Sequence, residues 1–123
     1  MSATITAVLK SLPVKLCGYS GLMLPPLEDQ TLAARAAEQP PSYGITDLLS
    51  YSSVCGVGLD TVPIPGDSSI EDVSALMLDT AALACKWDKP LSCRLFPVPG
   101  KAAGEMTEFN SPFLINSRVF ALP

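Results

Sequence analysis

The sequence contains no histidine among its 123 residues. Without an imidazole group, the chain itself cannot form Ser-His or Cys-His nucleophile pairs, histidine-based zinc sites or the usual proton shuttle near neutral pH. Any acid–base chemistry must therefore use carboxylates, lysine, tyrosine or a thiol, or must come from another chain.

The four cysteines include no C-x-x-C pair, so the usual redox and zinc-ribbon motifs are absent. Cys17, Cys55, Cys85 and Cys93 all lie in mainly apolar stretches of the sequence. This usage predicts reduced thiols in a cytoplasmic protein, with Cys85 and Cys93 as small core residues.

Charge is sparse: 16% of residues are charged and the net charge is −4. An acidic chain of this kind is not expected to bind nucleic acid or an anionic membrane surface. No apolar run approaches the ~18 residues that a membrane span needs, and no leader pattern opens the chain, so we expect a soluble, unexported protein. The hydrophobic fraction of 48% predicts exposed apolar patches, which usually mark a partner.

One turn motif, P-x-P-G, occurs twice in the chain. Pro63-Ile64-Pro65-Gly66 is followed by Asp67, and Pro97-Val98-Pro99-Gly100 is followed by Lys101. A long apolar helix pattern and a short strand pattern lie between the two turns, as in a strand–helix–parallel strand unit. Both turns would then leave the carboxyl ends of their strands at one rim of a sheet, where ligands bind in such folds.

The remaining patterns predict a single α/β domain over residues 1–123, built from βαβ units with a mainly parallel sheet. Ser68 and Glu71 form a capping-box pattern at the start of the long helix, whose broad apolar face predicts that it is mostly buried. The predicted sheet is incomplete because its strand edges are left unpaired. We expect these edges to be covered either in a homo-oligomer or by the missing remainder of a larger chain. The predicted helices are 3–12, 28–38, 46–54 and 68–87, and the predicted strands are 14–17, 59–62, 91–96 and 117–122.

The rim offers two ligand chemistries. Lys101 and Arg94 can receive a small anion such as a carboxylate or phosphate, with Gly100 and Gly104 letting backbone N–H groups approach. Carboxylates of Asp60 and Asp67, together with Glu105 or Glu108, can instead hold a divalent cation. The plain structural interpretation is a solvated lysine, an arginine paired with an acidic residue, and Asp67 near the amino end of the following helix.

Cys55 is the candidate nucleophile. It precedes two glycines and a strand, and a nearby cation such as Lys101 would lower its pKa. The alternative is a buried cysteine that fills a tight turn. No organic cofactor is expected. The complete set of ligand-binding candidates is Gly56, Gly58, Asp60, Gly66, Asp67, Arg94, Gly100, Lys101 and Glu105.

Four segments carry a family resemblance: residues 17–25 (CGYSGLMLP), 51–67 (YSSVCGVGLDTVPIPGD), 94–101 (RLFPVPGK) and 103–107 (AGEMT). They resemble the uncharacterised domain of unknown function 711. The resemblance implies part of a barrel related to pyruvate formate-lyase and other glycyl radical enzymes, with this chain as the carboxy-terminal part of a longer protein. Radical chemistry is not expected. Glycyl radical enzymes carry the motif Arg-Val-x-Gly, whereas this chain has Arg118-Val119-Phe120-Ala121, with alanine in place of the glycine.

Three function classes remain open at the level of the sequence. The leading one is a non-catalytic or remnant unit that binds a small anion or metal at the two P-x-P-G loops and self-associates. The second is part of an enzyme active site that uses Cys55 and the rim carboxylates. The third is a purely structural interaction module, since fold alone does not give function.

Overall fold

The computed structural model describes residues 2–54 and 56–123. Within these residues the chain is a mixed α/β structure with four helices and a two-stranded parallel sheet. The elements in chain order are α1 (Ser2–Lys10), α2 (Gln30–Ala36), α3 (Ile45–Val54), β1 (Gly58–Pro65), α4 (Ile70–Trp87) and β2 (Ser92–Val98).

The predicted βαβ unit is confirmed. β1 and β2 pair in parallel, with Pro63 opposite Phe96 and Pro65 opposite Val98, and α4 forms the crossover between them. Both strands run further than the apolar pattern predicts and reach the P-x-P-G turns. The two turns therefore leave the same end of the sheet.

The core lies between β1, α2, α3 and the carboxy-terminal segment. β1 is buried along nearly its whole length because protein covers both of its faces. The rings of Tyr43 and Phe120 pack with centroids 5.5 Å apart, which fixes the carboxy-terminal segment against the start of α3. The buried hydrophobic cluster comprises Ala36, Tyr43, Ile45, Leu48, Leu59, Val62, Ile64, Leu76 and Phe120.

The start of α4 differs from the capping-box prediction. Ser69, not Ser68, is the N-cap, and its Oγ accepts a hydrogen bond from the Asp72 N–H at 3.0 Å. Ser68 instead donates its hydroxyl to the Pro65 carbonyl at 2.7 Å. The helix thus begins one residue later, because the first serine stabilises the turn after β1.

The prediction that α4 is mostly buried is wrong. Leu76 and Thr80 are 1% and 3% exposed, whereas Ile70 and Leu78 are 80% and 70% exposed. One apolar face of the helix packs on the domain, and a second apolar face points away from it. Cys85 lies on this second face and is exposed, so the prediction that it is a core residue is also wrong.

Two of the predicted strands do not form. Residues 14–17 are exposed and contain no strand. The segment 117–122 instead forms an isolated antiparallel bridge, with Arg118 opposite Met106. It also contacts β1 through one hydrogen bond, from the Phe120 N–H to the Pro63 carbonyl at 2.9 Å. Among the described residues, no helix has the length and apolar character needed to traverse a bilayer.

Candidate functional site

The two P-x-P-G loops face each other at the carboxyl ends of β1 and β2. They approach so closely that a Cβ atom at Gly66 would lie 2.5 Å from the Val98 carbonyl oxygen. The loops enclose an open pocket of about 430 Å³. It brings together five of the residues singled out from the sequence: Gly66, Asp67, Gly100, Lys101 and Glu105. We call it the rim pocket.

Lys101 is the cation of the rim pocket. Its Nζ lies 2.8 Å from a carboxylate oxygen of Glu108, and the two side chains are 23% and 78% exposed. The hydrogen bond from Lys101 lowers the pKa of Glu108. The same bond raises the pKa of Lys101, with smaller contributions from the charges of Glu108 and Glu105. Lys101 is therefore a fixed positive charge that already holds one exposed carboxylate.

The two carboxylates of the pocket have different surroundings. Glu105 accepts a hydrogen bond from the backbone N–H of Ala102, so its side chain stabilises the turn between these two residues. Asp67 is exposed and precedes the N-cap Ser69 by two residues, so it does not cap α4 itself. Asp67 is thus the acidic group of the pocket that is best placed to meet a ligand.

Asp60 and Arg94 do not reach the rim. They lie at the third positions of β1 and β2, where Arg94 Nε is 2.6 Å from Asp60 Oδ1. The Arg94 Nη2 also contacts Glu28 at 2.5 Å. The arginine therefore has the structural role that the plain interpretation gave it, tying β2 to β1 and to the segment before α2. Glu28 was not foreseen, because 66 residues separate it from Arg94 and no local pattern connects them.

The Asp60–Arg94 pair lies at a bulge in β1. Leu59 is opposite Cys93 but Val62 is opposite Leu95, so β1 has one extra residue there. Thr61 takes a left-handed conformation with φ of 45°, which is unfavourable for a β-branched residue. Asp60 Oδ2 and Thr61 Oγ1 are buried without hydrogen-bond partners among the described residues. The bulge is consequently a locally strained part of the sheet.

The metal candidates do not converge. Asp60 and Asp67 are separated by most of β1, a distance of roughly 20 Å for seven extended residues. Across residues 2–54 and 56–123, no group of three or more cysteine or acidic side chains is close enough to hold a metal ion. A cation at the rim would have to rely on Asp67 and Glu105, because the nearby Glu108 is paired with Lys101.

The remaining candidates lie at the opposite end of β1. Gly56 forms an isolated bridge with Leu22, and Gly58 packs against the backbone of Ser92. Both are buried and serve the pairing of neighbouring segments. Cys55, the candidate nucleophile, lies outside the described residues.

Comparison with known proteins identifies a family. The model of the family described as "Uncharacterised ACR (DUF711)" matches residues 1–110. A UPF0210 protein of Pyrobaculum aerophilum is 43% identical over 88 residues, which cover 72% of this chain and 19% of the relative. A UPF0210 protein of Desulforudis audaxviator is 39% identical over 92 residues, covering 75% of this chain and 20% of the relative.

A UPF0210 protein of Ligilactobacillus salivarius is 40% identical over 92 residues, which cover 75% of this chain and 20% of the relative. The chain spans about a fifth of the length of these curated relatives. No solved structure matches the chain significantly, so the resemblance to the glycyl radical enzyme barrel is not confirmed. On the match of the family model over residues 1–110, this chain belongs to the DUF711 family.

Proposed function

We propose that the chain is a small-molecule-binding α/β unit, and that the rim pocket takes an anionic group at Lys101. The observation that carries this proposal is the convergence of the two P-x-P-G loops around one lysine at the carboxyl ends of parallel strands. In parallel α/β folds these strand ends are the usual place for a ligand.

Glu108 indicates where the anion binds. Its carboxylate lies 2.8 Å from Lys101 Nζ, and its own side chain is 78% exposed. An ion pair with so much solvent contact contributes little to stability, so a ligand carboxylate or phosphate can replace Glu108 at small cost. Glu108 acts as an internal substitute for the ligand in this arrangement.

The charges of the pocket also restrict the ligand. Asp67 and Glu105 line the pocket together with Lys101, whose ammonium group is paired with Glu108. A simple polyanion would be repelled by them, whereas a ligand with one anionic group and one cationic or hydrogen-bond-donating group would satisfy both. A divalent cation is the less supported alternative, because Glu108 is already paired with Lys101 and no group of three or more acidic or cysteine side chains among the described residues could hold a metal ion.

The test is a titration of the chain with inorganic phosphate at mildly acidic pH, where its monoanion combines one negative charge with P–OH donors, followed by the amide chemical shifts of the two loops. We expect shifts at Gly66, Gly100 and Lys101. The E108Q variant should bind more tightly because it removes the competing carboxylate, and K101Q should bind at least roughly tenfold more weakly. K15Q is the matched control, since Lys15 is exposed and lies outside the rim pocket.

Several outcomes would overturn the proposal. They are the absence of loop shifts at tens of millimolar phosphate, equal binding by K101Q and K15Q, and weaker binding by E108Q. Titration with Mg²⁺ tests the alternative of a divalent-cation site. Loop shifts that require Mg²⁺ and disappear in D67N would show that the rim pocket binds a cation and not an anion.

The outer face of α4 favours a second function, self-association. Ile70, Met77 and Leu78 recur at helical spacing and are 80%, 53% and 70% exposed. The occupant we infer is a second copy of this chain. In an antiparallel pairing of two α4 helices, Glu71 of each copy lies near Lys86 of the other copy. The dimer would then have two pairs of opposite charge beside the apolar face.

Sedimentation equilibrium tests self-association. We expect a concentration-dependent dimer that L78K abolishes and F113K preserves, because Phe113 is 83% exposed but lies outside α4. A wild-type chain that stays monomeric at all concentrations would contradict the dimer. It would favour burial of the outer face of α4 by another part of a longer protein. Equal dissociation by L78K and F113K would show that the α4 face is not the interface.

A further inference from the structure

A second pocket lies between the start of α3 and the carboxy-terminal segment, apart from the rim pocket. Its volume is about 470 Å³, within the usual range for small-molecule sites. Arg118 is the only residue with a charged side chain among those that line it. Ile45, Phe120 and Leu122 give it an apolar wall. We call it the Arg118 pocket.

The backbone holds Arg118 in a fixed position. Its neighbours Ser117 and Val119 are fully buried, and Arg118 pairs with Met106 in the antiparallel bridge. Three backbone hydrogen bonds flank this bridge: from Gly104 N–H to Val119 O at 2.8 Å, from Val119 N–H to Glu105 O at 2.8 Å, and from Thr107 N–H to Ser117 O at 2.9 Å. The arginine is thus presented from a paired segment and not from a free tail.

The guanidinium group lacks a protein partner on one side. Its Nη1 is buried and has no hydrogen-bond partner among the described residues, and no acidic side chain lines the pocket. Leaving a buried charged donor unsatisfied is costly, and such groups in native structures call for an explanation. A bound carboxylate would supply the acceptor, and arginine binds carboxylates with two parallel hydrogen bonds.

Gly104 makes room for this group. Its φ of +93° is a conformation that residues with side chains rarely adopt, and a Cβ atom there would lie 3.2 Å from Arg118 Nη2. The sequence therefore places a glycine where any side chain would press on the guanidinium group. The position is consistent with an arginine that must stay accessible from the pocket.

The start of α3 is not the anion site itself. Asp47 Oδ2 already accepts a hydrogen bond from the Gly44 N–H at 2.8 Å, so a carboxylate of the chain itself lies at the start of the helix and disfavours a second anion there. The charge of a ligand must then be met by Arg118. The rest of the ligand must suit an apolar wall.

The geometry points to a binding site for a small monocarboxylate with an apolar body in the Arg118 pocket. The carboxylate pairs with the guanidinium group of Arg118, and the apolar body packs on Ile45, Phe120 and Leu122. This site is separate from the rim pocket, and its existence does not depend on the rim pocket binding anything.

Benzoate is the probe, and benzyl alcohol is its uncharged counterpart. On titration of the wild-type chain with benzoate, we expect amide shifts at Gly44, Gly104 and Leu122 and none at Gly66 and Gly100. Benzyl alcohol and inorganic phosphate should each bind at least roughly tenfold more weakly, because one lacks the charge and the other lacks the apolar body. R118Q should lose benzoate binding to a similar extent.

R35Q is the matched control, since Arg35 is exposed and paired with Glu38. G104A should also weaken benzoate binding, because its methyl group would displace the guanidinium group. The proposal is overturned if benzoate shifts no amide around the pocket, if benzyl alcohol binds equally well, or if R118Q and R35Q bind benzoate alike. If R118Q fails to fold, the shift map and the benzyl alcohol comparison on the wild-type chain still decide the question.

Discussion

Arg94 Nε lies 2.6 Å from Oδ1 of Asp60, whose side chain is only 3% exposed, while the arginine itself remains half exposed to solvent. The pair joins the two parallel strands at the bulge in β1 and satisfies one oxygen of a buried carboxylate. A change of Arg94 to methionine keeps much of the apolar stem but leaves that carboxylate without its cation. We expect R94M to lower the free energy of unfolding by about 1–3 kcal/mol, measured by urea denaturation.

The control for R94M is R35M. Arg35 also forms an ion pair, with Glu38 at 2.7 Å, but the two side chains are 61% and 39% exposed. Loss of that pair should cost clearly less than loss of the Asp60 pair, because solvent screens the two exposed charges. Equal losses in the two variants would mean that the burial of Asp60 gives its ion pair no special weight.

The close approach of the two P-x-P-G loops makes Gly66 sensitive to any side chain. In G66A the new Cβ would lie 2.5 Å from the Val98 carbonyl oxygen and 2.6 Å from Pro99 Cα. Because both contacts are with backbone, the loops must separate, and we expect a loss of about 1–3 kcal/mol in unfolding free energy. G44A is the comparison, since its nearest contact would be 4.0 Å away. A thermal unfolding curve for G66A that matches that of G44A would contradict the tight packing of the loops.

The ion pair of the rim pocket should be visible in a pH titration. Lys101 holds the pKa of Glu108 below its ordinary value of 4.5 through their hydrogen bond. The pair therefore favours the folded state above that ordinary value, and its contribution is lost as the pH falls through the lowered pKa. In K101Q the carboxyl resonance of Glu108 should titrate at higher pH than in the wild-type chain. An unchanged midpoint would show that the two groups do not interact in solution.

The described thiols should differ in reactivity. Burial raises the pKa of the Cys93 thiol, although a hydrogen bond with Thr80 opposes the shift. Cys17 and Cys85 are exposed. At mildly alkaline pH, Cys93 should therefore be alkylated more slowly than either, because less of it is thiolate and access is poorer. Peptide mass spectrometry after timed alkylation gives the rates, and a Cys93 that reacts as fast as Cys85 would contradict its burial.

The same experiment reports on Cys55. Fast alkylation at a pH well below that of the exposed thiols would indicate an activated nucleophile and support the enzyme interpretation. A slow, ordinary reaction would support the interpretation of Cys55 as a packing residue.

The parallel unit and the rim were predictable from the sequence because both depend on local signals. The two P-x-P-G turns and the helix pattern between them fix strand direction, crossover and the meeting of the loops. Lys101, Asp67 and Glu105 follow from their positions after those turns.

The rest depends on contacts between distant segments. The pairing of Arg94 with Glu28 spans 66 residues, and no periodicity connects them. The exposure of α4 was missed because an apolar stripe shows which residues avoid water but not what covers them. The Arg118 pocket was missed because its cation and its apolar wall come from segments that meet only in the folded chain.

The bulge at Asp60 and Thr61 also limits which changes in chain length β1 can accept. Side chains alternate between the two faces of a strand, so in a regular strand Leu59 and Val62, three residues apart, would face opposite sides. The extra residue at the bulge lets both stay in the core, opposite Cys93 and Leu95. Removal of Thr61 would relieve the left-handed conformation and leave both residues on the core face, whereas an added residue elsewhere in β1 would turn one part of the strand away from the core. Among substitutions at Thr61, glycine should be the mildest.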